Sequence, residues 1–195
     1  QLKTPVAILR AGLDHLSRAT DLNEAQAAEV SMLRKQTRRL TSLIEDLLLL
    51  AQVDAGRMFL EKREIDLNSL IEAACDDLQV LVEAKAITVE EALPEALPVL
   101  ADRRLLAMVM QNLVENAGKY TPDGGIIRIT ARRTGGMVKV SIANTGNSIS
   151  EEDRKHIFER FRRGSGTGGN VRGHGLGLNI ASELVRAHGG ELVLS

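Results

Sequence analysis

The run Gly173-His174-Gly175-Leu176-Gly177 leads into Leu-Asn-Ile, where a helical pattern begins. A glycine-rich turn at a helix N-terminus offers unpaired amide N–H groups and the positive end of the helix dipole. Both favour anions such as phosphate. The turn is not a Walker loop, because no Gly-Lys-Ser/Thr follows. It is not a dinucleotide turn either, because position 178 is Leu. His174 stands where it could donate to a phosphate or simply be solvated. Upstream, Asn112, Asn116 and Lys119 recur at i, i+4 and i+7, one face of a helix. Asn is a mediocre helix former, so two in register ask for a reason. One is a hydrophilic outer face. The other is coordination of Mg²⁺, a hard ion that takes few protein ligands beside phosphates.

Between these segments lie Asn144-Thr145-Gly146-Asn147-Ser148-Ile149, a turn composition, and Phe158 with Phe161. The two Phe sit three apart in a helix expected over residues 151–161, and core packing is their default role. Six of the twelve residues from 164 to 175 are Gly. Such a stretch does not hold one conformation cheaply without a ligand. It reads as a plain loop or as a lid over a bound nucleotide, which would bring Arg162, Arg163 and Arg172 to the phosphates.

The elements that must position these residues fall into two regions. Val6, Leu9, Leu13 and Leu16 form an apolar seam on a first helix. The polar link 20–23 carries good N-cap residues, and a second helix is expected over 24–53. There Leu33, Leu40 and Leu47 repeat every seven residues, with Thr37, Ile44 and Ala51 filling the alternate seam. Two helices bury little, so a second copy completing a four-helix bundle is the favoured outcome. Packing on the rest of the same chain is the alternative. After Gly56 the pattern changes to α/β. Strands are expected over 59–65, 87–91, 99–101, 125–132, 137–143 and 191–195, with a turn at 134–136. Further helices are expected over 68–84, 102–120 with Asp102 as N-cap, and 176–187. On the helix after Asp102, the buried stripe is expected to be Leu106, Val109, Met110 and Leu113.

The chain has 195 residues, 44% of them hydrophobic but only 2% aromatic and none Trp, so aliphatic side chains must build the core. A net charge of −1 gives no bulk attraction to nucleic acid or anionic lipid. The single Cys75 excludes an intrachain disulfide and reads as a small apolar helix residue. The longest apolar run, residues 47–51, is far short of the ~20 residues that cross a bilayer. The expected setting is cytoplasmic, either on its own or as the cytoplasmic part of an inner-membrane sensor.

In this order, the Asn112–Thr121, Asn144–Ile149, Phe158–Phe161 and Gly173–Ile180 segments resemble the N, G1, F and G2 boxes of sensor histidine kinases. The resemblance extends over essentially the whole chain. It implies an α+β chain: an antiparallel helical hairpin over 1–57, half of a dimeric four-helix bundle, then an α/β-sandwich ATP-binding domain with a mixed sheet over 58–195. A last strand is expected beyond Ser195. It also implies ATP and Mg²⁺ as ligands, with Asn116 on the metal and Asn112 assisting. Lys119 and Tyr120 would flank phosphates and ribose. Asn144 and Gly146, with Ile149, would receive adenine; the family has Asp-x-Gly-x-Gly here. Asn144 keeps a carbonyl acceptor but loses the charge-assisted bond, and Ser148 replaces the second Gly. Phe161 would anchor the lid, Arg162 would reach the phosphates, and Gly173, His174, Gly175, Leu176 and Gly177 would form the phosphate turn.

Gln1-Leu2-Lys3-Thr4-Pro5 resembles the phosphoacceptor box His-Glu/Asp-Leu-Lys/Arg-Thr-Pro without its first residue. The acceptor His is then expected immediately before Gln1. Gln1 replaces a carboxylate that can accept the imidazole proton, and Thr4 matches the position linked to dephosphorylation of the partner. His15 has no such sequence after it, and His156 and His188 read as surface or cap residues. The implied activity is transfer of the ATP γ-phosphoryl to that His and then to an Asp of a response regulator. Two alternatives stand beside it: an ATPase clamp of the same superfamily, and a degenerate, nucleotide-sensing dimeric scaffold.

Overall fold

The computed structural model describes residues 3–18, 22–146, 148–162 and 174–195. The chain divides into two compact units, Gln1–Arg57 and Met58–Ser195.

The first unit is a helical hairpin, α1 (Lys3–Leu16) and α2 (Glu24–Asp54). Asn23 starts α2 with a reciprocal capping box: its Oδ1 accepts from Gln26 N–H at 2.9 Å, and Gln26 Oε1 accepts from Asn23 N–H at 3.0 Å. One cross-helix ion pair joins Arg34 Nε to Asp14 Oδ1 at 2.9 Å. Partly exposed, it contributes at most about 1 kcal/mol. Among the described residues of this unit only Val6, Leu49 and Leu50 are buried. The seam residues Leu33, Leu40 and Leu47 stay 43%, 44% and 45% exposed. An open groove of about 400 Å³ runs between the helices, with Val6, Ala11, Thr41 and Ile44 on its walls.

The second unit contains β1 (Arg63–Asp66), α3 (Asn68–Ala84), β2 (Thr88–Ala92), β3 (Pro98–Ala101), α4 (Arg103–Tyr120), β4 (Ile126–Thr134), β5 (Met137–Asn144), α5 (Glu151–His156) and α6 (Gly177–Ala187). β4 is the middle of a mixed sheet ordered β2-β4-β5, parallel to β2 and antiparallel to β5. β1 and β3 form a separate antiparallel pair. Alternation along β4 buries Ile127, Ile129 and Ala131. Ile71 of α3, Val109 and Val114 of α4, and Ile180 and Leu184 of α6 are also fully buried. α4 is the middle helix, in contact with both α3 and α6.

Four sequence expectations are corrected. The first strand covers only Arg63–Asp66, and Phe59 is 90% exposed. Its partner β3 is four residues long and offers pairing only from Pro98 to Ala101. Residues 191–195 form no strand, because alternation needs a neighbour to pair with and β5 pairs only with β4 among the described residues. The helix expected over 151–161 stops at His156. Phe161 then adopts φ 61° and is 62% exposed, so it is not a core residue. The stripe on α4 is led by Leu105, Val109, Met110, Val114 and Ala117, while Leu106 and Leu113 are only half-buried. A helix covered on two sides buries a broader arc than one seam. On one of those sides, α3 approaches so closely that a Cβ on Gly118 would lie 2.7 Å from Leu78 Cδ1.

Candidate functional site

α4 is secured at both ends before it presents anything. At its N-terminus Asp102 Oδ1 accepts from Leu105 N–H and Oδ2 from Glu61 N–H, both at 3.1 Å. Burial pushes the Asp102 carboxyl up, but these amide bonds outweigh burial and hold it below the ordinary carboxylate value. At the C-terminus, Lys85 Nζ donates to the carbonyls of Thr121 at 2.8 Å, Gly118 at 3.1 Å and Lys119 at 3.3 Å. A cation on the last carbonyls of a helix satisfies orphan acceptors and complements the dipole. Thr121, buried, closes the end through Oγ1 to Ala117 O at 2.7 Å.

Midway along α4, Asn112 and Asn116 are half-buried. The head of α6 lies against Asn112: a Cβ on Gly177 would sit 2.9 Å from Asn112 Oδ1, so any larger residue would push that amide aside. Leu176 provides no side-chain cap for α6. Among the described residues no side chain caps that end, and helix N-terminal amides favour anions. At the other end of α4, a Cβ on Gly146 would sit 2.8 Å from Tyr120 O, and Gly146 has φ 150°. The turn is pinned to β4 by Thr145, whose Oγ1 accepts from Ile126 N–H and whose N–H donates to Ile126 O, both at 2.9 Å. Asn144 Nδ2 donates to Thr145 O at 3.0 Å.

The residues on either side of 163–173 also meet. Phe161 N–H donates to Gly175 O at 2.9 Å, and a Cβ on Gly175 would run into the carbonyl of Arg162. Asn179, in the first turn of α6, donates Nδ2 to Phe158 O at 2.8 Å. Its Oδ1 is buried with no hydrogen-bond partner among the described residues.

The structure thus brings together Asn112 with Gly177, Tyr120 with Gly146, and Phe161 and Arg162 with Gly175. Leu176 is buried and His174 half-buried between them in sequence. Lys119 is in an ion pair with Glu115 at 2.9 Å. Ile149 is 40% exposed and takes no part in these contacts. Thr4 is exposed on α1. Gln1, Arg163, Arg172 and Gly173 lie outside the described residues. Sequence reasoning missed Lys85, Thr145 and Asn179. Each acts on a backbone group distant in sequence or on an adjacent turn, and no spacing rule announces that. Burial, then the neighbouring Glu91, pushes the Cys75 thiol up to about 12, which favours the protonated, less reactive form.

The arrangement can hold a polyanion between the α6 amides and α4, with amide oxygens nearby. No group of three His, Cys, Asp or Glu suited to a metal occurs among the described residues. Asn oxygens together with the anion's own oxygens are a donor set that suits a hard cation.

Known proteins carry the same two parts in the same order. Residues 1–56 match the His Kinase A (phospho-acceptor) domain. Residues 101–195 match the histidine kinase-, DNA gyrase B-, and HSP90-like ATPase family. The chain is 30% identical over 194 residues to the signal transduction histidine-protein kinase BaeS of Escherichia coli (strain K12), covering 99% of this chain and 41% of BaeS. It therefore spans less than half the length of that relative. Full-length ShkA in complex with AMPPNP superposes with a TM-score of 0.81 at 30% identity, over 96% of this chain and 39% of ShkA. The histidine kinase ThkA, in complex with the response regulator protein TrrA, does so with 0.64 at 25% identity, over 95% of this chain and 52% of ThkA. With a phosphoacceptor-type hairpin followed by an ATP-binding α/β unit, the chain belongs to the sensor histidine kinases and comprises their catalytic core.

Proposed function

We propose that this core binds Mg²⁺-ATP on α4 and transfers the γ-phosphoryl to a His of the hairpin, in the longer protein one residue ahead of Gln1. An Asp of a response regulator then receives it. The observation that carries the reading is the approach of Asn112 Oδ1 to Gly177, which sets one amide oxygen of α4 beside the head of α6, an end with no side-chain cap. The fit to the ligand is sound on this geometry: open amides for phosphate, Asn oxygens for a cation.

In this reading Asn116, assisted by Asn112, holds Mg²⁺, which when bound neutralises phosphate charge during transfer. The α6 amides and His174 orient the phosphates. Lys119 leaves Glu115 to reach them, as does Arg162. Tyr120 flanks the ribose, and Asn144 Oδ1 accepts from the adenine amino group while Nδ2 stays on Thr145 O. Asn112 carries no basic group, so water near it is not activated, which favours transfer to His over hydrolysis. Gln1 orients the acceptor imidazole but takes no proton from it, and Thr4 lies one turn further on. The hairpin pairs with a second copy through Leu33, Leu40 and Leu47. The likeness to ThkA, solved with TrrA, supports a receiver domain as the next acceptor. No described helix is long and apolar enough to cross a membrane, and a cytoplasmic location is part of the proposal.

The test has two steps. Asn116→Ala should abolish Mg²⁺-dependent AMPPNP binding by calorimetry with the melting curve retained; unchanged affinity removes Asn116 from the site. A chain extended upstream through the acceptor should then take acid-labile, alkali-stable label from γ-labelled ATP. Binding without such label would leave a nucleotide-sensing scaffold, and rapid steady-state hydrolysis would indicate the clamp.

A further inference from the structure

His188 follows the last residue of α6 and uses both ring nitrogens. Nδ1 lies 2.8 Å from Leu184 O, and Nε2 lies 3.1 Å from the backbone N of Asp102. A carbonyl only accepts and a backbone N–H only donates. Nδ1 must therefore carry the hydrogen, and Nε2 must present its lone pair. The ring is thereby set in one neutral tautomer, and it joins the last turn of α6 to the residue that caps α4. Asp102 is itself tied to Leu105 and Glu61 through its carboxylate. A histidine that merely ended α6 would need only the bond to Leu184.

The two helices joined here are those that meet at Asn112 and Gly177, where a Cβ on Gly177 would press on the Asn112 amide. Helix α6 runs eleven residues from Gly177 to Ala187, and His188 follows it. At ~1.5 Å per residue His188 stands roughly 16 Å from the phosphate turn. It cannot touch a nucleotide bound there. It can set the distance and pitch between the helices that hold one.

We propose that His188 is a positioning residue: its imidazole straps the C-terminus of α6 to the N-cap of α4 and so fixes the spacing between the α6 amides and Asn112. The proposal rests on the reading of that spacing as the nucleotide site. A link of this kind acts on affinity because the open amides and the Asn oxygens must engage one ligand together.

Two substitutions separate the strap from a simple cap. In His188→Gln, the side-chain oxygen can reach the Asp102 N–H in place of Nε2. In His188→Asn, the shorter amide can serve Leu184 O in place of Nδ1 but falls short of Asp102. Three readouts on the full chain follow: ¹⁵N shifts of the imidazole, amide exchange at Asp102, and calorimetric affinity for AMPPNP with Mg²⁺. The expected result is an Nδ1–H tautomer in the native chain. His188→Gln should retain slow exchange at Asp102 and an affinity within about threefold of native. His188→Asn should lose that protection and about tenfold or more in affinity, with helical signal retained. Equal affinity and equal Asp102 protection in the Asn variant would overturn the strap, as would the Nε2–H tautomer. A native chain showing the tautomer and protection but no AMPPNP binding would refute the site reading, and the positioning role with it. Strap and site thus fail separately.

Discussion

The two units of this chain bury their apolar side chains to very different extents. In the α/β unit Ile71, Val109, Ile127, Ile129 and Leu184 are wholly buried by residues of the same unit's sheet and helices. In the hairpin, Leu9, Leu33, Leu40 and Leu47 remain 43% to 57% exposed. Both are rich in Leu, Ile and Val, so composition does not separate them. The number of layers does. A sheet covered by helices encloses its apolar face, whereas two helices have only one contact between them and leave the outer half of each seam in water. At about 1.5–3 kcal/mol per Leu fully buried, those seams are a large incentive to associate. Among the described residues, one unit covers its apolar side chains with its own sheet and helices, and the other leaves its apolar seams exposed.

That contrast can be broken most severely from within the α/β unit. Ile129→Ala should cost about 2–5 kcal/mol by leaving a cavity under the sheet. Denaturant unfolding followed by a probe in that unit would show it, and a loss below 1 kcal/mol would mean the core is not closed. In the hairpin, Leu40→Asp or Leu47→Asp should halve the mass seen by light scattering, because a dimer would bury an unpaired charge. The α/β unit should melt as before. A mass still twice that of the chain would refute the seam.

A smaller effect is expected at Asp102. Replacing it by Ala removes the α4 cap and should cost about 0.5–2 kcal/mol. Its carboxyl is held below the ordinary value, so its stabilisation is present above about pH 4 and disappears as pH falls through the folded-state pKa. Asp102→Asn should flatten the acid limb of a stability titration, and an unaltered limb would remove this carboxylate from the account. The smallest effect belongs to the hairpin. Burial, then Glu45, pushes Asp46 up to about 6. The folded state therefore holds that proton more tightly than the unfolded chain. The hairpin should gain stability as pH falls from about 6 toward the ordinary value of 3.8, the opposite sign to Asp102. Asp46→Asn should abolish that slope; the same slope in the variant would assign it to another group.

Much of this was legible in one dimension. Seven-residue spacing announced α2, alternation announced β4 and β5, and the Thr134-Gly135-Gly136 turn between them has both glycines at positive φ. Asn23 and Asp102 were readable as caps because a cap acts on residues two or three places on. Where the reading failed, the deciding partner was remote or missing. Residues 59–62 and 191–195 alternate as strands do, but pairing decides strands and no neighbour among the described residues accepts them. Phe158 and Phe161 looked like a helical pair, yet the chain leaves the helix at His156 to bring Phe161 N–H to Gly175 O.

By itself the sequence determined the two-part organisation, the order of the four polar and glycine-bearing segments and the presence of a glycine turn before a helix. These depend on local propensity, period and spacing, which the chain carries wherever it folds. Only the tertiary structure decided that Asn112 abuts Gly177, that Lys85 closes α4 from the end of α3, and that His188 reaches Asp102 across 86 positions. Such contacts are chosen by the packing of whole helices against a common sheet, and that choice is made by all of the core at once.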